Sequence, residues 1–439
     1  MLNSIPCPQR PRRPITTAAV RAVLANLLLL PIVTAAGNSG GVKVFAGARI
    51  IDGTGKPAIE RAMLVVRAGR IVAVGANVKA PQDAEIIDVT GKTIMPGLIT
   101  AHGHVQNAAQ LGMYLRDGIT TVVSLGGDHE FALRDQCRST APGTAPRLFV
   151  AGPIEDSAPF PGAISVPTPE QARQTVDELA THRPDIVKLR IDDFFHTRPK
   201  MSPEVYTAVI ETAHKHGLRV AAHVIFLDDA KSVLRAGADY IAHSVRDREV
   251  DDEFIQLMKK RNVYYCPTLT RELSTFVYAE TPEFFHDPFF LKEADPAEMA
   301  KMADPKWQEK VRADTNGMWF KEHMVFAMRN LKRLSDAGIT IVMGTDTGGG
   351  PGRFHGYFEQ LELEYEVKAG LTPMQALLSA TKNAAKVVKA ADQLGTLEKG
   401  KWADLLVLNA NPLEDIKNTR RIESVWVAGT RVPEKRPRD

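Results

Sequence analysis

The sequence predicts an α/β chain, a TIM (β/α)₈ barrel carrying a small composite β-sandwich. Three observations support it. Eight short apolar runs alternate with amphipathic segments through the middle of the chain. Both flanks instead show apolar and polar residues alternating between turn signals. Histidine, lysine and aspartate residues cluster at the ends of the apolar runs, the rim where a barrel gathers its functional groups. The 439 residues are 44% hydrophobic and 24% charged, a composition that argues against disordered, collagenous and multi-span membrane classes.

Residues 1–36 differ in composition from the remainder of the chain and read as a cleaved signal peptide. They hold Arg10, Arg12, Arg13 and Arg21 and no acid, then an apolar run from Ala22 to Val33 that ends in the small residues Thr34, Ala35 and Ala36. Such a run is too short to span a bilayer and its end suits a signal peptidase. An Arg-rich transit peptide or a disordered tail is the alternative. Cys7 precedes the run, the wrong place for a lipoprotein anchor. The expectation is therefore an exported protein, periplasmic or secreted, with no stable membrane insertion. Losing those arginines brings the formal charge of +3 close to balance, so the basic whole-chain charge is no argument for a nucleic-acid partner. Cys137 and Cys266 would remain, both inside predicted barrel elements, and read as buried thiols rather than a disulfide framework.

Residues 37–95 run through VFAGARII, AMLVV, IVAVGANV, EIIDVTGK and TIMPG, and residues 396–439 repeat the texture in GKWADLLVLN and IESVWVAGTRV. Neither piece is large enough to fold alone, so the two are expected to share one antiparallel sandwich. Residues 96–395 supply the barrel, with strands in IMPGLITAHGHV, TTVVSLGG, RLFVAGP, DIVKLRI, RVAAHV, YIAHS, VYYCPTL and TIVMGTD. Between them lie helical stretches such as SPEVYTAVIETAHKHG and LDDAKSVLRAGA, with Gly near the stop. A doubly wound sheet would not call for eight successive units. One long connection, from about Arg271 to Asn316, carries Phe284, Phe285, Pro288, Phe289 and Phe290 and suggests a lid or a partner-contacting insertion.

His102 and His104 stand two apart at the end of the first barrel strand, so both imidazoles point the same way. His214 and His216 share that spacing within a helical segment, where they splay about 200° apart and read as surface residues. His223 ends the fifth strand, His243 the sixth and Asp346 the eighth, while Lys188 lies in the fourth. Singly, each histidine suits a satisfied core position. Together, inward positions on several strand ends converge as a metal cluster requires. Imidazole nitrogen and carboxylate oxygen suit a borderline divalent ion, zinc first, with Mn²⁺, Co²⁺ or Fe²⁺ also compatible.

The run MPGLITAHGHV, followed in order by VKL, VAAHV, YIAHS and MGTDTG, resembles the amidohydrolase superfamily, in particular its imidazolonepropionase-like and prolidase-like branch. The resemblance extends from about Lys43 to the C-terminus. It implies a metal-dependent hydrolase with two zinc ions and a carboxylated lysine. One ion would sit on His102, His104, carboxylated Lys188 and Asp346, and the other on Lys188, His223 and His243. A salt bridge inside the barrel is the plainer reading of Lys188 and would leave a single ion. The family's usual Asp two places before the first histidine is Thr100 here, which puts the support of the ligands in question rather than the ligands themselves.

Divalent cations bring the pKa of water toward neutrality, and Asp346 is assigned as the catalytic base and acid beside its ligand role. No G-x-S-x-G elbow appears, and Cys266 reads as a core residue. Arg190, two places beyond Lys188, is a candidate for a substrate carboxylate, which favours dipeptides or N-acyl amino acids; pairing with Asp192 or another rim acid is the competing reading. His129, His196, Arg353 and His355 fall in rim loops as further substrate-binding candidates. Gly348 to Gly350 lacks the Lys and Ser or Thr of a phosphate loop. The small-molecule substrate stays open among amides, lactones, cyclic amides or imides, and phosphotriesters, all open to metal-activated hydroxide. A non-catalytic metal-stabilised binding barrel is the alternative of a different class. Long rim insertions also fit a homo-oligomer.

Overall fold

The computed structural model describes residues 41–127, 129–156, 163–195 and 197–434. The expected signal segment and His196 lie outside the described residues. Among those described, both flanks of the chain enter one eight-stranded sheet. Its order is Thr430–Arg431, Ile422–Val427, Leu405–Leu408, Thr93–Pro96, Lys43–Ile50, Ile59–Arg67 and Arg70–Gly75, with Glu85–Asp88 also beside Lys43–Ile50. The two flanks join where Leu405–Leu408 runs antiparallel to Thr93–Pro96, with Leu406 opposite Met95. Alternation sends Phe45, Leu64, Val66, Ile94, Leu405 and Val407 into one apolar cluster and Val44 and Val65 into another. The sheet is not antiparallel throughout: Lys43–Ile50 pairs in parallel with both Glu85–Asp88 and Thr93–Pro96. The hairpin of Ile59–Arg67 and Arg70–Gly75 occupies its other edge, so the chain must cross back before adding the next strand.

The barrel strands are Leu98–Gly103, Ile119–Ser124, Arg147–Val150, Val187–Arg190, Val220–His223, Tyr240–Ala242, Tyr264–Cys266 and Thr340–Ile341. Each falls within the run from which the sequence predicts it, except that the second begins one residue early, at Ile119. The first three pair in parallel, as do the fourth to eighth. Asp185 N donates to Val150 O (2.8 Å) between the third and fourth strands, and Ala101 N donates to Met343 O (2.8 Å) between the first and eighth. Ile99, Ala101, Val123, Ala221, Tyr240, Cys266 and Val342 form one buried cluster, while Val187, Leu189, Val220, Ala222 and Ile241 pack with the surrounding helices.

The helices obey ordinary start and stop rules. Leu227–Ala236 ends at Gly237, whose φ of 112° is open to glycine. The long connection is built from short helices, Pro288–Glu293, Pro296–Ala303 and Pro305–Ala313, each led by proline behind an aspartate cap. Tyr278, Phe285 and Phe290 bury against Phe354, Tyr357 and Phe358. These aromatics thus form a core of their own. Cys266 is buried as expected, whereas Cys137 is only half-buried on helix Glu130–Ser139, and both are free thiols. Among the described residues no helix is long and apolar enough to cross a membrane.

Helix Tyr357–Lys368 turns Glu359, Glu362 and Glu366 inward, all buried. Glu359 fastens it to the eighth-strand end: Oε1 accepts from Thr347 Oγ1 (2.8 Å) and from Thr345 Oγ1, and Oε2 accepts from Gly356 N (2.9 Å). Burial pushes this carboxyl up to about 7 from its ordinary 4.5, against the pull of those bonds. An acid whose folded pKa is raised binds its proton more tightly when folded, so it withdraws stability as pH climbs from about 4.5 to 7. Glu359→Gln is expected to remove that loss, shifting the difference in unfolding free energy toward the variant by about 3 kcal/mol across the window. Urea unfolding of both proteins at several pH values measures it; a difference flat with pH would refute the assignment.

Candidate metal centre

At the C-terminal rim of the barrel the six residues singled out from sequence come together. His102 lies in the first strand and His104 just beyond it, Lys188 is in the fourth, His223 ends the fifth, and His243 and Asp346 follow the sixth and eighth. Donor atoms of His102, His243 and Asp346 all lie within 4.8 Å of one another. His104 Nε2 is 2.8 Å from Asp346 Oδ1, and His102 Nε2 is 3.3 Å from the same oxygen and 3.3 Å from Lys188 Nζ. The imidazole of His243 is centred 4.7 Å from that of His102 and 4.3 Å from that of His223. The resemblance puts His243 on the ion of His223; the geometry also brings its donor within 4.8 Å of those of His102 and Asp346.

Backbone conformation directs two of these side chains. His243 and Asp346 take φ of 77° and 60°, a left-handed conformation costing on the order of 1–3 kcal/mol for residues with a Cβ. Neighbouring bonds hold it in place: Thr345 N (3.0 Å) and Asp346 N (2.9 Å) both donate to His102 O. Gly344 permits that closeness, since a Cβ there would stand 2.6 Å from His102 Cβ and 2.7 Å from Cys266 Sγ.

Two imidazoles have one nitrogen engaged away from the cluster. His104 Nδ1 meets Gly126 O (3.2 Å) and His243 Nδ1 meets Thr268 Oγ1 (2.8 Å), which frees each Nε2 for a ligand. In His223 it is Nε2 that meets a carboxylate, Asp192 Oδ2, leaving Nδ1. Among the described residues His102 Nδ1 is buried without a hydrogen-bond partner. Burial lowers the pKa of His102 and His243 well below that of a free imidazole, and that of His223 to about 4 in spite of Asp192. Burial alone would raise Asp346, but Arg353, His102 and His104 hold it well below the usual carboxylate range. Burial lowers the Lys188 ammonium to about 7. Neutral imidazoles, an ionised carboxylate and an orphaned buried nitrogen form a donor set that fits a divalent cation.

The cluster floors a cavity of about 560 Å³ walled by Ile154, Phe194, Arg190, Arg271 and Arg353. A larger cavity, about 660 Å³, lies elsewhere between Arg116, Phe289, Ile422 and Val432, and no imidazole lines it. Arg190 does reach the metal-side cavity, but its Nε donates to Asp156 Oδ2 (2.6 Å) and its plane lies 5.0 Å from the Phe194 ring. The acid reading for Arg190 is the observed one, with Asp156 as the acid. Arg353 Nε donates to Ser274 Oγ (3.0 Å) and its Nη1 pairs with Asp346. His129 lines the cavity, with Nε2 2.9 Å from Val105 O. His355 does not line it, a correction: it sits behind the first strand, Nε2 3.3 Å from His104 O and its ring edge-on to Tyr114, where burial lowers its pKa to about 4. His214 and His216 pair with Asp239 and Asp177 on the outer helix layer. Thr100 places its hydroxyl 3.5 Å from Glu359 Oε1, so helix Tyr357–Lys368 brings a carboxyl to this strand.

Sequence reasoning passed over Arg271, Glu272 and Asp192 as site residues. Arg271 lies in the short helix Leu269–Leu273 that follows the seventh strand, at the start of the long connection, and that placement was the available signal.

The amidohydrolase family model matches residues 93–432. The chain is 29% identical over 236 residues to an ochratoxinase of Aspergillus niger, a match covering 52% of this chain and 41% of that protein. It is 22% identical over 414 residues to an imidazolonepropionase of Geobacillus sp. (strain WCH70), covering 80% and 84% of the two. The crystal structure of a candidate prolidase from Bifidobacterium longum superposes with a TM-score of 0.73 at 28% identity, over 91% of this chain and 96% of that one. With the barrel, the rim cluster and a family match across most of its length, this chain belongs to the amidohydrolase family.

Proposed function

We propose that this protein is a metal-dependent hydrolase that cleaves amide C–N bonds in small substrates bearing a free carboxylate, dipeptides or N-acyl amino acids. The observation that supports this most is the meeting of His102, His243 and Asp346 within 4.8 Å, on the floor of a cavity walled by three guanidinium groups, those of Arg190, Arg271 and Arg353. Ochratoxinase, imidazolonepropionase and prolidase relatives agree with C–N hydrolysis.

His102, His104, Lys188 and Asp346 would hold one ion, and Lys188, His223 and His243 a second, with zinc best suited to the donors. When bound, such ions lower the pKa of water and draw electron density from a scissile carbonyl. Asp346, kept ionised by Arg353 and its histidines, takes the proton of the attacking water and returns it to the leaving nitrogen. Lys188 is buried, and among the described residues no carboxylate pairs with it, so the internal salt bridge finds no support. With its pKa near 7 it offers a neutral amine, the form that adds CO₂ to become a carbamate. Ile154 and Phe194 line the approach to the cluster. Cys266 is no rival nucleophile, since burial pushes its thiol far up.

A panel of dipeptides, N-acyl amino acids, lactones and paraoxon-like esters tests the bond class. Amide turnover is expected to dominate; strong lactone turnover with inert amides would overturn the reading. Elemental analysis of protein prepared with bicarbonate is expected to find about two ions per chain, falling in both Lys188→Ala and His102→Ala. A content of one ion in wild type and Lys188→Ala alike would remove the bridging carbamate. Residues 1–36 are further proposed to be a cleaved export signal, on the strength of their arginines, apolar run and small-residue end. N-terminal sequencing of secreted or periplasmic protein is expected to begin near residue 37; an intact first segment on cytoplasmic protein would reject export.

A further inference from the structure

We propose that Arg271, not Arg190, reads the substrate's carboxylate, an inference that rests on the amide-hydrolase reading for the substrate class. Three arginines line the cavity beside the metal cluster, and their hydrogen bonds separate them. Arg190 gives its Nε to Asp156 at 2.6 Å. Arg353 gives its Nε to Ser274 and pairs its Nη1 directly with the candidate ligand Asp346. Arg271 differs: among the described residues its one guanidinium hydrogen bond runs from Nη1 to Glu272 Oε2 (2.9 Å). Its Nε is buried without a hydrogen-bond partner, 4.0 Å from Asp346 Oδ2.

The group is also held in place. Glu272 is itself wholly buried, and Arg246 Nε lies 3.2 Å from its other oxygen. Phe320 faces the Arg271 guanidinium at 4.6 Å. Such a cation, fixed by a buried glutamate and an aromatic face, has paid its ordering entropy before a ligand arrives. Its guanidinium lines the cavity beside Asp346, so a carboxylate bound against it leaves the neighbouring C–N bond over the cluster. A buried guanidinium with donors to spare gains more from a planar carboxylate than from a neutral group.

The test measures binding by calorimetry on metal-loaded protein, with N-methanesulfonyl-L-leucine as probe, whose sulfonamide resists cleavage, against N-methanesulfonylisoamylamine, which lacks the carboxylate. Wild type is expected to prefer the carboxylate probe. Arg271→Gln should weaken that probe by roughly 30-fold and leave the neutral one unchanged, while Arg190→Gln keeps the preference. Arg271→Lys, which preserves charge beside Glu272 but removes the fork, should show an intermediate loss and serves if the glutamine variant does not fold. Equal binding of both probes by wild type, or a preference abolished by Arg190→Gln and retained in the Arg271 variants, would overturn the proposal. Because neither probe is hydrolysed, this outcome is read separately from the substrate panel, which can fail on its own.

Discussion

The His102 carbonyl is the hinge of this architecture. By accepting from both Thr345 N and Asp346 N it closes the barrel between its last and first strands, and in the same act it sets the spacing of two candidate ligands. Ala101 N to Met343 O and His104 N to Thr347 O (2.7 Å) extend the seam on either side. The close approach requires Gly344 against His102 and Cys266, and the left-handed turn at Asp346 is tolerated because these bonds over-determine it. Fold closure and metal geometry are therefore one constraint.

Around that seam, buried charge is arranged in partnered sets. Glu359 gathers the hydroxyls of Thr345 and Thr347 beneath the cluster. Glu362 accepts from Leu269 N and Thr270 N, both at 2.7 Å, and so anchors the segment that carries Arg271. Arg246, Glu272 and Arg271 form a buried chain behind the cavity wall. Isolated ions in such a setting would be heavily penalised, whereas linked ones hold side chains in a fixed geometry. The helix that supplies Glu359, Glu362 and Glu366 thus positions loops from two neighbouring strands at once.

The barrel strands were legible because each is a short apolar run bounded by turns, and the ligands because a strand end is a defined place in a barrel. His102, His104, Lys188, His223, His243 and Asp346 needed only the parallel order of their strands to be brought together. Side-chain partners were another matter. Whether Arg190 meets Asp156 or a substrate depends on a short extra strand, Ile154–Asp156, that lies beside the fourth barrel strand and has no distinctive pattern of its own. The inward glutamates of helix Tyr357–Lys368 were hidden for a related reason: charged residues on a buried face erase the apolar periodicity by which a helix shows its orientation. The same limit hid the packing of the aromatics in the long connection, since sequence does not reveal that Phe354, Tyr357 and Phe358 cover them.

The pairing of Leu405–Leu408 with Thr93–Pro96 has a temporal meaning as well as a spatial one. During synthesis Thr93–Pro96 waits for a neighbour made after the whole barrel, so this part of the sheet forms only once the barrel residues exist. Contacts so distant in sequence form slowly, because the intervening loop must first be closed.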